Sequence, residues 1–455
     1  MLSQTIDIPA DNVLEALPAL LDPQAVLDAV QGSLGRVSAN VRAAWREARL
    51  LEATYHPGRH VRVVYALLSD PATPDERAWP EGELVYFQSP VRCPMSRRGD
   101  LVVMNKTPVE AYVFPNDRRL RGMRTFARRD LCLEAWSAWA AGDAGGAKVD
   151  AESLQRLLMR YVPEQKCVVR LRAESPSKDG GAPTKRRLLV RATSPANCGE
   201  LRHRHQTLTK ALSDHGEHFR VARPQGAKVE QGLLALEWLR GDGLLDVLKQ
   251  GAEAEVFAGI ARRLRHWHDL HIEGLAVLGV ERLIEKTNDA FIDLCAACPD
   301  LVPRMFDLRR SLVGTLRRLP SARLVTLHGD FHWKQLVLKG GQMALLDLER
   351  MARGDALIDV ANFAAQLEML AHRPEAGVDG VTAKRWARGF LDAWQQQSGE
   401  GIDLQRCAAY AAVSRLELAR GRLRHLRPNW RAFCAQATAN VEADLELAST
   451  VQEAA

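Results

Sequence analysis

Short apolar runs with alternating or β-branched character dominate the chain up to about residue 240, and one-sided apolar periodicity dominates the remainder. In the first part, ATYHPGRHVRVVYALL (53–68), GELVYFQ (82–88), MRYVPEQKCVVRLRAE (159–174), KRRLLVR (185–191) and the apolar start of GLLALEWLRG (232–241), ahead of Glu237-Trp238-Leu239 and a Gly, predict strands bounded by turn residues. SPANCGELRHRHQTLTKAL, opening on a Ser-Pro turn at Ser194, predicts a helix. From about Leu244 the spacing predicts a helix ending in ARRLRHWHDLH, and later helices over 355–373, 381–397, 403–426 and 430–450. Strands first and helices afterwards predict an α+β chain with a β-rich amino-terminal lobe and a mostly helical carboxy-terminal lobe.

The early strands also repeat. Tyr55/Tyr161, Pro57/Pro163 and Val63/Val169 are each offset by 106 residues, and each echo is followed by a polar loop and a second strand. This predicts an extra amino-terminal α/β module that partly duplicates the small lobe and lacks a catalytic loop of its own. AGDAGGAKVD (141–150) reads as the linker. The expected divisions are 1–145 for the extra module, 146–242 for the small lobe and hinge, and 243–455 for the helical catalytic lobe.

Chemistry concentrates between His328 and Phe363, in HGDFHWKQLVL, a Gly-Gly turn, and MALLDLERMARGDALIDVANF. Five residues after Asp330 comes the amide of Gln335, and twelve residues later Asp347 ends an apolar run. Phosphoryl transfer needs a carboxylate to orient and deprotonate the attacking hydroxyl, and an amide oxygen plus a carboxylate to hold magnesium on the nucleotide phosphates. The order and spacing supply all three. Glu349, two residues on, is placed to assist the metal.

At His328-Gly329-Asp330, Asp347, Gly354-Asp355 and Asp359-Val360-Ala361 the chain resembles the aminoglycoside phosphotransferase and choline kinase family, which shares the bilobal protein-kinase fold. The resemblance covers roughly residues 151–455. It implies ATP and Mg²⁺ as cofactors, Asp330 as the base, and His328 and Asp359 as braces of the loop. It makes Glu237-Trp238-Leu239 the hinge that takes the adenine edge, and Arg191 the basic residue on the phosphates, with Glu200 as its best candidate partner. Gln335 stands where the family carries Asn; the extra methylene shifts the amide oxygen but preserves it.

Composition narrows the field. The 455 residues are 46% hydrophobic and 26% charged with a net charge of +6, which suits two or three globular domains. No apolar run approaches the ~18 residues of a membrane helix, and MLSQTIDIPADNV lacks the basic and apolar regions of a secretory signal. The eight cysteines lack a framework spacing, and the single CxxC, Cys295 to Cys298, lies in a helical pattern, so the thiols suit a reducing cytoplasm. His266, His268 and His271 read as packing and surface groups rather than a metal site. Ten scattered tryptophans without interleaved basic residues argue against nucleic-acid binding. No GxxxxGK[ST] occurs, which excludes P-loop chemistry.

Arg415 to Arg431 holds six arginines against one acid, Glu417. Two readings stand: a solvated helix face, or a pocket edge in which Arg420, Arg422 and Arg424 meet an anionic acceptor. Either way the segment is unsuited to a polycationic aminoglycoside. The leading expectation is an ATP- and Mg²⁺-dependent phosphotransferase acting on a hydroxyl of a small molecule, a sugar or sugar derivative. A non-catalytic nucleotide-binding scaffold is the alternative, with Gln335 as its best support. A protein kinase is disfavoured, since HRD, DFG, APE and a Gly-rich loop are all missing.

Overall fold

The computed structural model describes residues 7–34, 37, 39–69, 84–91, 99–140, 149–175, 184–212, 218–399 and 401–454. Most of the expected linker, 141–148, and the boundary at 145 lie outside the described residues. Helices α1 (Leu17–Leu21), α2 (Pro23–Ser33) and α3 (Ala39–Ala44) lead into strands β1 (Glu47–His56), β2 (His60–Leu68), β3 (Leu84–Ser89), β4 (Asp100–Met104) and β5 (Thr107–Val113). After α4 (Met123–Ala127) and α5 (Arg129–Ala140) comes a second set: β6 (Gln155–Val162), β7 (Lys166–Ser175), β8 (Thr184–Ala192), β9 (Pro224–Lys228) and β10 (Leu233–Glu237).

The two sheets have the same strand order, β1-β2-β3-β5-β4 and β6-β7-β8-β10-β9, and every pairing is antiparallel. The amino-terminal module is therefore a topological copy of the small lobe. The copies differ where the second inserts α6 (Pro195–Ala211) between β8 and β9, while only residues 90–99 separate β3 from β4. Ser194 caps α6 by accepting from Asn197 N–H, with Pro195 in the first turn, where its missing N–H costs nothing.

The first hairpins turn alike. Gly58 and Glu164, related by the same offset of 106, both take left-handed backbone, with φ of 63° in each case. Gly58 does so freely; Glu164 is a side chain held there against its preference. What holds it is the first module. Its carboxylate, on a residue only 7% exposed, accepts from Arg118 at 2.8 Å through both oxygens and from Arg62 at 3.1 Å. Asp117 Oδ2 accepts from Glu164 N–H and from the Tyr161 hydroxyl. Around this polar clamp the sheets share one core, in which Phe126, Trp136 and Trp139 of α4 and α5 pack with Tyr86, Tyr112, Leu171, Val190 and Leu233.

The rest of the chain is helical. It comprises α7 (Leu244–Leu248), α8 (Glu253–His268), α9 (Val280–Ala297), α10 (Val302–Arg318), α11 (Ala356–Glu368), α12 (Gly380–Ser398), α13 (Leu404–Arg424) and α14 (Trp430–Ala454). Asp355, Asp379 and Asp403 each cap the next helix by accepting a backbone N–H. Two small antiparallel sheets are set among these helices: β11 (Asp242–Gly243) with β13 (Leu336–Lys339) and β14 (Gln342–Leu345), and β12 (Val325–Leu327) with β15 (Ala352–Gly354). The α+β order expected from the pattern is observed, and the strand before the hinge ends at Glu237. The helix expected over 355–373 tightens to a 3₁₀ turn at Met369–His372. Cys295 and Cys298 finish α9 as free thiols. Among the described residues, no helix is long and apolar enough to cross a membrane.

Candidate active site

Strand β12 ends in the buried Leu327 and delivers His328-Gly329-Asp330 to the face of the helical lobe. His328 is fully buried and its Nε2 lies 2.8 Å from the Leu346 carbonyl oxygen, to which it donates. Gly329 takes φ of 75°, and a Cβ there would overlap the Arg350 carbonyl oxygen, so only glycine fits. Asp359, near the start of α11 and 1% exposed, accepts from His328 N–H at 2.8 Å and Gly329 N–H at 2.9 Å. His268 Nε2, at the end of α8, lies 3.3 Å from the same carboxylate. With its backbone pinned from behind, the loop presents Asp330, whose side chain is 29% exposed, to a cavity of about 1200 Å³. Arg350 Nε lies 3.8 Å from the Asp330 carboxylate and the His332 ring Nε2 3.9 Å.

Beyond β14, Asp347 adopts φ 54° and ψ 70°, a strained conformation for a residue with a side chain. It lies among charges. Lys166 Nζ is 3.6 Å from one oxygen and Arg191 Nη1 is 3.6 Å from the other. Asp347 Oδ1 is buried and, among the described residues, accepts no hydrogen bond. Glu349 takes Lys166 Nζ at 3.1 Å and is in direct contact with Arg191 Nη2. From α6, Arg204 donates to the carbonyls of Leu348 and Glu349 at 2.9 and 2.7 Å, fixing the turn. Burial pushes the Lys166 ammonium down to about 8 against the pull of Asp347. Burial also raises the Asp347 carboxyl, but Lys166 and Arg191 outweigh it and hold it below the usual range.

Gln335 is reached through His332. Lys334 N–H donates to His332 Nδ1 at 3.2 Å, and Gln335 Nε2 lies 3.2 Å from His332 Nε2. Burial lowers His332 to about 4, so the ring is neutral near pH 7 and its one proton sits on Nε2. Gln335 Nε2 faces that nitrogen, so the amide gains a hydrogen bond there by turning its oxygen to the ring, and its oxygen is the atom that suits a cation.

Three expectations need correction. Glu200 does not pair with Arg191: it is 57% exposed and contacts Arg204, one helical turn along α6, whereas Arg191 reaches across to Glu349 and Asp347. Arg420, Arg422 and Arg424 line the cavity, so they are not a solvated helix face, and each is already held by carboxylates, with Arg422 keeping Nε unpartnered among the described residues. Arg420 binds Asp293 at 2.8 Å, Asp289 at 2.9 Å and Glu417 at 3.1 Å; Arg424 binds Asp293 at 2.8 Å; Arg422 binds Glu375 at 2.6 Å. Most of these acids come from α9 and the turn before α12, far away in sequence. The hinge residues do not line this cavity either. Glu237 pairs with Arg220 and gives its N–H to Arg223 O, the Trp238 ring carries the Arg170 guanidinium at 5.2 Å, and Leu239 packs beside Leu234 and Leu236. The adenine edge is left the backbone of Trp238 and Leu239. Sequence reasoning missed Lys166; its place directly after the β6–β7 turn was the available signal.

A carboxylate on a braced loop, facing a cavity that also holds a strained second carboxylate and basic groups, defines a phosphoryl-transfer site of the kinase type. Residues 181–410 match the phosphotransferase enzyme family (APH), half of the chain, and the chain belongs to that family. It is a small-molecule kinase, transferring a phosphoryl group to a hydroxyl. Choline kinase from Cryptosporidium parvum Iowa II is similar in structure, with a TM-score of 0.50 at 10% identity, over 70% of this chain and 96% of that one. The likeness shows the protein-kinase-like fold. A putative aminoglycoside phosphotransferase from Ralstonia eutropha JMP134 gives 0.48 at 16% identity, over 70% and 98% of the two chains. A thermostable mutant of aminoglycoside phosphotransferase APH(4)-Ia, in complex with AMP-PNP and hygromycin B, gives 0.47 at 14%, over 69% and 98%. No curated protein sequence matches the chain.

Proposed function

We propose that the chain uses ATP and Mg²⁺ to phosphorylate a hydroxyl of a sugar or sugar-like alcohol. The observation that carries this is Asp330, half-open to the cavity on a loop whose backbone is held by Asp359. It orients the acceptor hydroxyl and takes its proton as the bond to phosphorus forms. Asp347 and Glu349 would hold the metal, and Gln335 would join through the free lone pair of its amide oxygen. The buried Asp347 Oδ1, without a hydrogen-bond donor among the described residues, suits a cation. Bound there, Mg²⁺ would neutralise charge on the phosphates. Arg191 and Lys166, beside these carboxylates, steady phosphate oxygens, and the backbone of Trp238 and Leu239 receives the adenine. On this reading residues 1–145 brace the small lobe of 146–242 above the catalytic lobe of 243–455.

A second reading, a nucleotide-binding scaffold, draws on the same carboxylates, since Lys166 and Arg191 already neutralise them. Purified protein incubated with ATP, Mg²⁺ and a panel of sugars, amino sugars and sugar phosphates separates the two. Metal-dependent product with at least one acceptor is expected. Nucleotide binding without turnover across the panel would favour the scaffold.

A further inference from the structure

The cavity has a cationic region outside the ATP and metal groups, formed by Lys334, Arg373, Arg422 and Arg427. Arg373, just beyond the 3₁₀ turn at the end of α11, is 8% exposed. Among the described residues its guanidinium has no hydrogen bond or ion pair, and its Nε is buried without a partner. It rests over the Phe433 ring at 5.6 Å, and the Arg422 guanidinium lies over the same ring at 5.1 Å. Arg422, 5% exposed, spends two donors on Glu375 and the Pro428 carbonyl and leaves Nε unpartnered among the described residues. Lys334, four residues after Asp330, makes no ion pair among the described residues and sits over Trp333 at 4.9 Å. Arg427 reaches Glu52 at 3.6 Å, but Glu52 also serves His425 at 2.8 Å and Arg160 at 3.7 Å.

Four cations thus face one another across a region whose carboxylates, Glu375 and Glu52, are already engaged. A buried guanidinium that shares the charge of Glu375 with Arg422, and makes no ion pair of its own among the described residues, is costly, and packing alone would be served better by an apolar side chain. Burial and the Arg422 charge push Arg373 down to about 10, the mark of a cation held where its surroundings oppose it. A planar guanidinium with free donors beside a second and a lysine matches a tetrahedral or planar oxyanion.

We infer that Arg373, Arg422, Arg427 and Lys334 form an anion subsite for the acceptor, so that the substrate is a hydroxyl compound bearing a phosphate or carboxylate group. Lys334 belongs to the segment that carries Asp330, which ties the subsite to the reacting hydroxyl. The inference rests on Asp330 as the base, but the subsite is tested without turnover.

The full-length protein is titrated with inorganic phosphate by calorimetry, and Arg373→Met and Lys334→Met are compared with the wild type. Phosphate should bind the wild type and lose about tenfold in affinity in each variant, as expected for a charge-assisted contact removed. ATP affinity should stay within about twofold. Lys334 is exposed, so Lys334→Met keeps the test open if Arg373→Met fails to fold. Where turnover is measurable, a hexose phosphate or a sugar acid should exceed the matching neutral hexose in kcat/KM. The KM of the anionic acceptor alone should then rise about tenfold in the variants; comparing the two acceptors tells phosphate from carboxylate. Undiminished phosphate binding in both variants overturns the subsite. A parallel loss of ATP affinity also overturns it, assigning these cations to the nucleotide's own phosphates. Absent turnover with variant-sensitive phosphate binding leaves the subsite standing and rejects the kinase reading instead.

Discussion

Glu164 offers the sharpest test of how the two modules depend on each other, because strain and ion pairing oppose one another at a single residue. Glu164→Ala removes a carboxylate that meets Arg62, 7% exposed, and Arg118, whose side chain is 25% exposed. Breaking a buried ion pair costs about 3–5 kcal/mol. Arg62 keeps a bond to Gln88 Oε1 at 2.7 Å and Arg118 can rehydrate, so the loss should fall at the lower end, about 3 kcal/mol. Glu164→Gly loses the same contacts but relieves the left-handed backbone, and should recover about 1 kcal/mol relative to alanine. Gly58→Ala, in the sister turn with open space around it, should cost about 1 kcal/mol from strain alone. Urea unfolding followed by tryptophan emission reads the region, since Trp136 and Trp139 lie in the shared core. The nucleotide KM should rise in both Glu164 variants, because Val162, Gln165 and Lys166 flank the turn and line the cavity. If Glu164→Gly is as stable as the wild type, the clamp contributes no more than the strain it opposes. If alanine equals glycine there, the strain argument fails.

Other outcomes arise from the site. Asp330→Asn should cut phosphoryl transfer by about 10²–10⁴ and leave nucleotide affinity within about twofold; a variant that folds but no longer binds nucleotide would give Asp330 another role. Asp347→Asn should weaken Mg·ATP binding as well as turnover, since it removes a charge from the metal group and leaves Lys166 and Arg191 short of a partner; unchanged metal-dependent kinetics would reject it as a ligand. Burial lowers His332 and His205 each to about 4. The unfolded chain, with histidines near 6.5, binds more protons between these values, so stability should be full above about pH 6.5 and fall as pH drops toward 4, by up to about 3 kcal/mol for each ring. A urea midpoint flat over that window would show that the rings are not buried neutral.

The loop that gathers the candidate residues was legible because they are local in sequence: His328, Asp330, Gln335 and Asp347 sit at fixed spacings between β12 and the turn after β14. The duplicated module was legible because a turn demands particular residues, and Tyr55-x-Pro57 and Tyr161-x-Pro163 keep theirs. Charge partners were not. An i,i+4 pair such as Glu200 with Arg204 can be read from a helix, but the choice between Glu200 and Glu349 for Arg191 depends on where β8 and the Asp347 turn meet in space. For the same reason the arginines of α13 looked free, although Asp289 and Asp293 answer them from a helix more than a hundred residues earlier. Arg373 gave no signal at all, being a lone arginine in a turn.

The two hairpins carry this one step further. The first copy keeps glycine at the left-handed position, whereas the copy beside the cavity carries a strained Glu164 that only the other module's arginines can hold. A turn that merely connected two strands would gain from glycine, so the clamp makes sense if the rigidity of the wall it supports has value. The same logic applies at Glu52 of β1, which gathers Arg160 of the small lobe with His425 and Arg427 of the acceptor side. The amino-terminal module thus reaches both walls of the cavity through buried carboxylates and arginines, without contributing a reactive group to the catalytic loop. These contacts predict that removing the module impairs substrate binding, read as a raised KM, before it touches the chemistry proposed for Asp330.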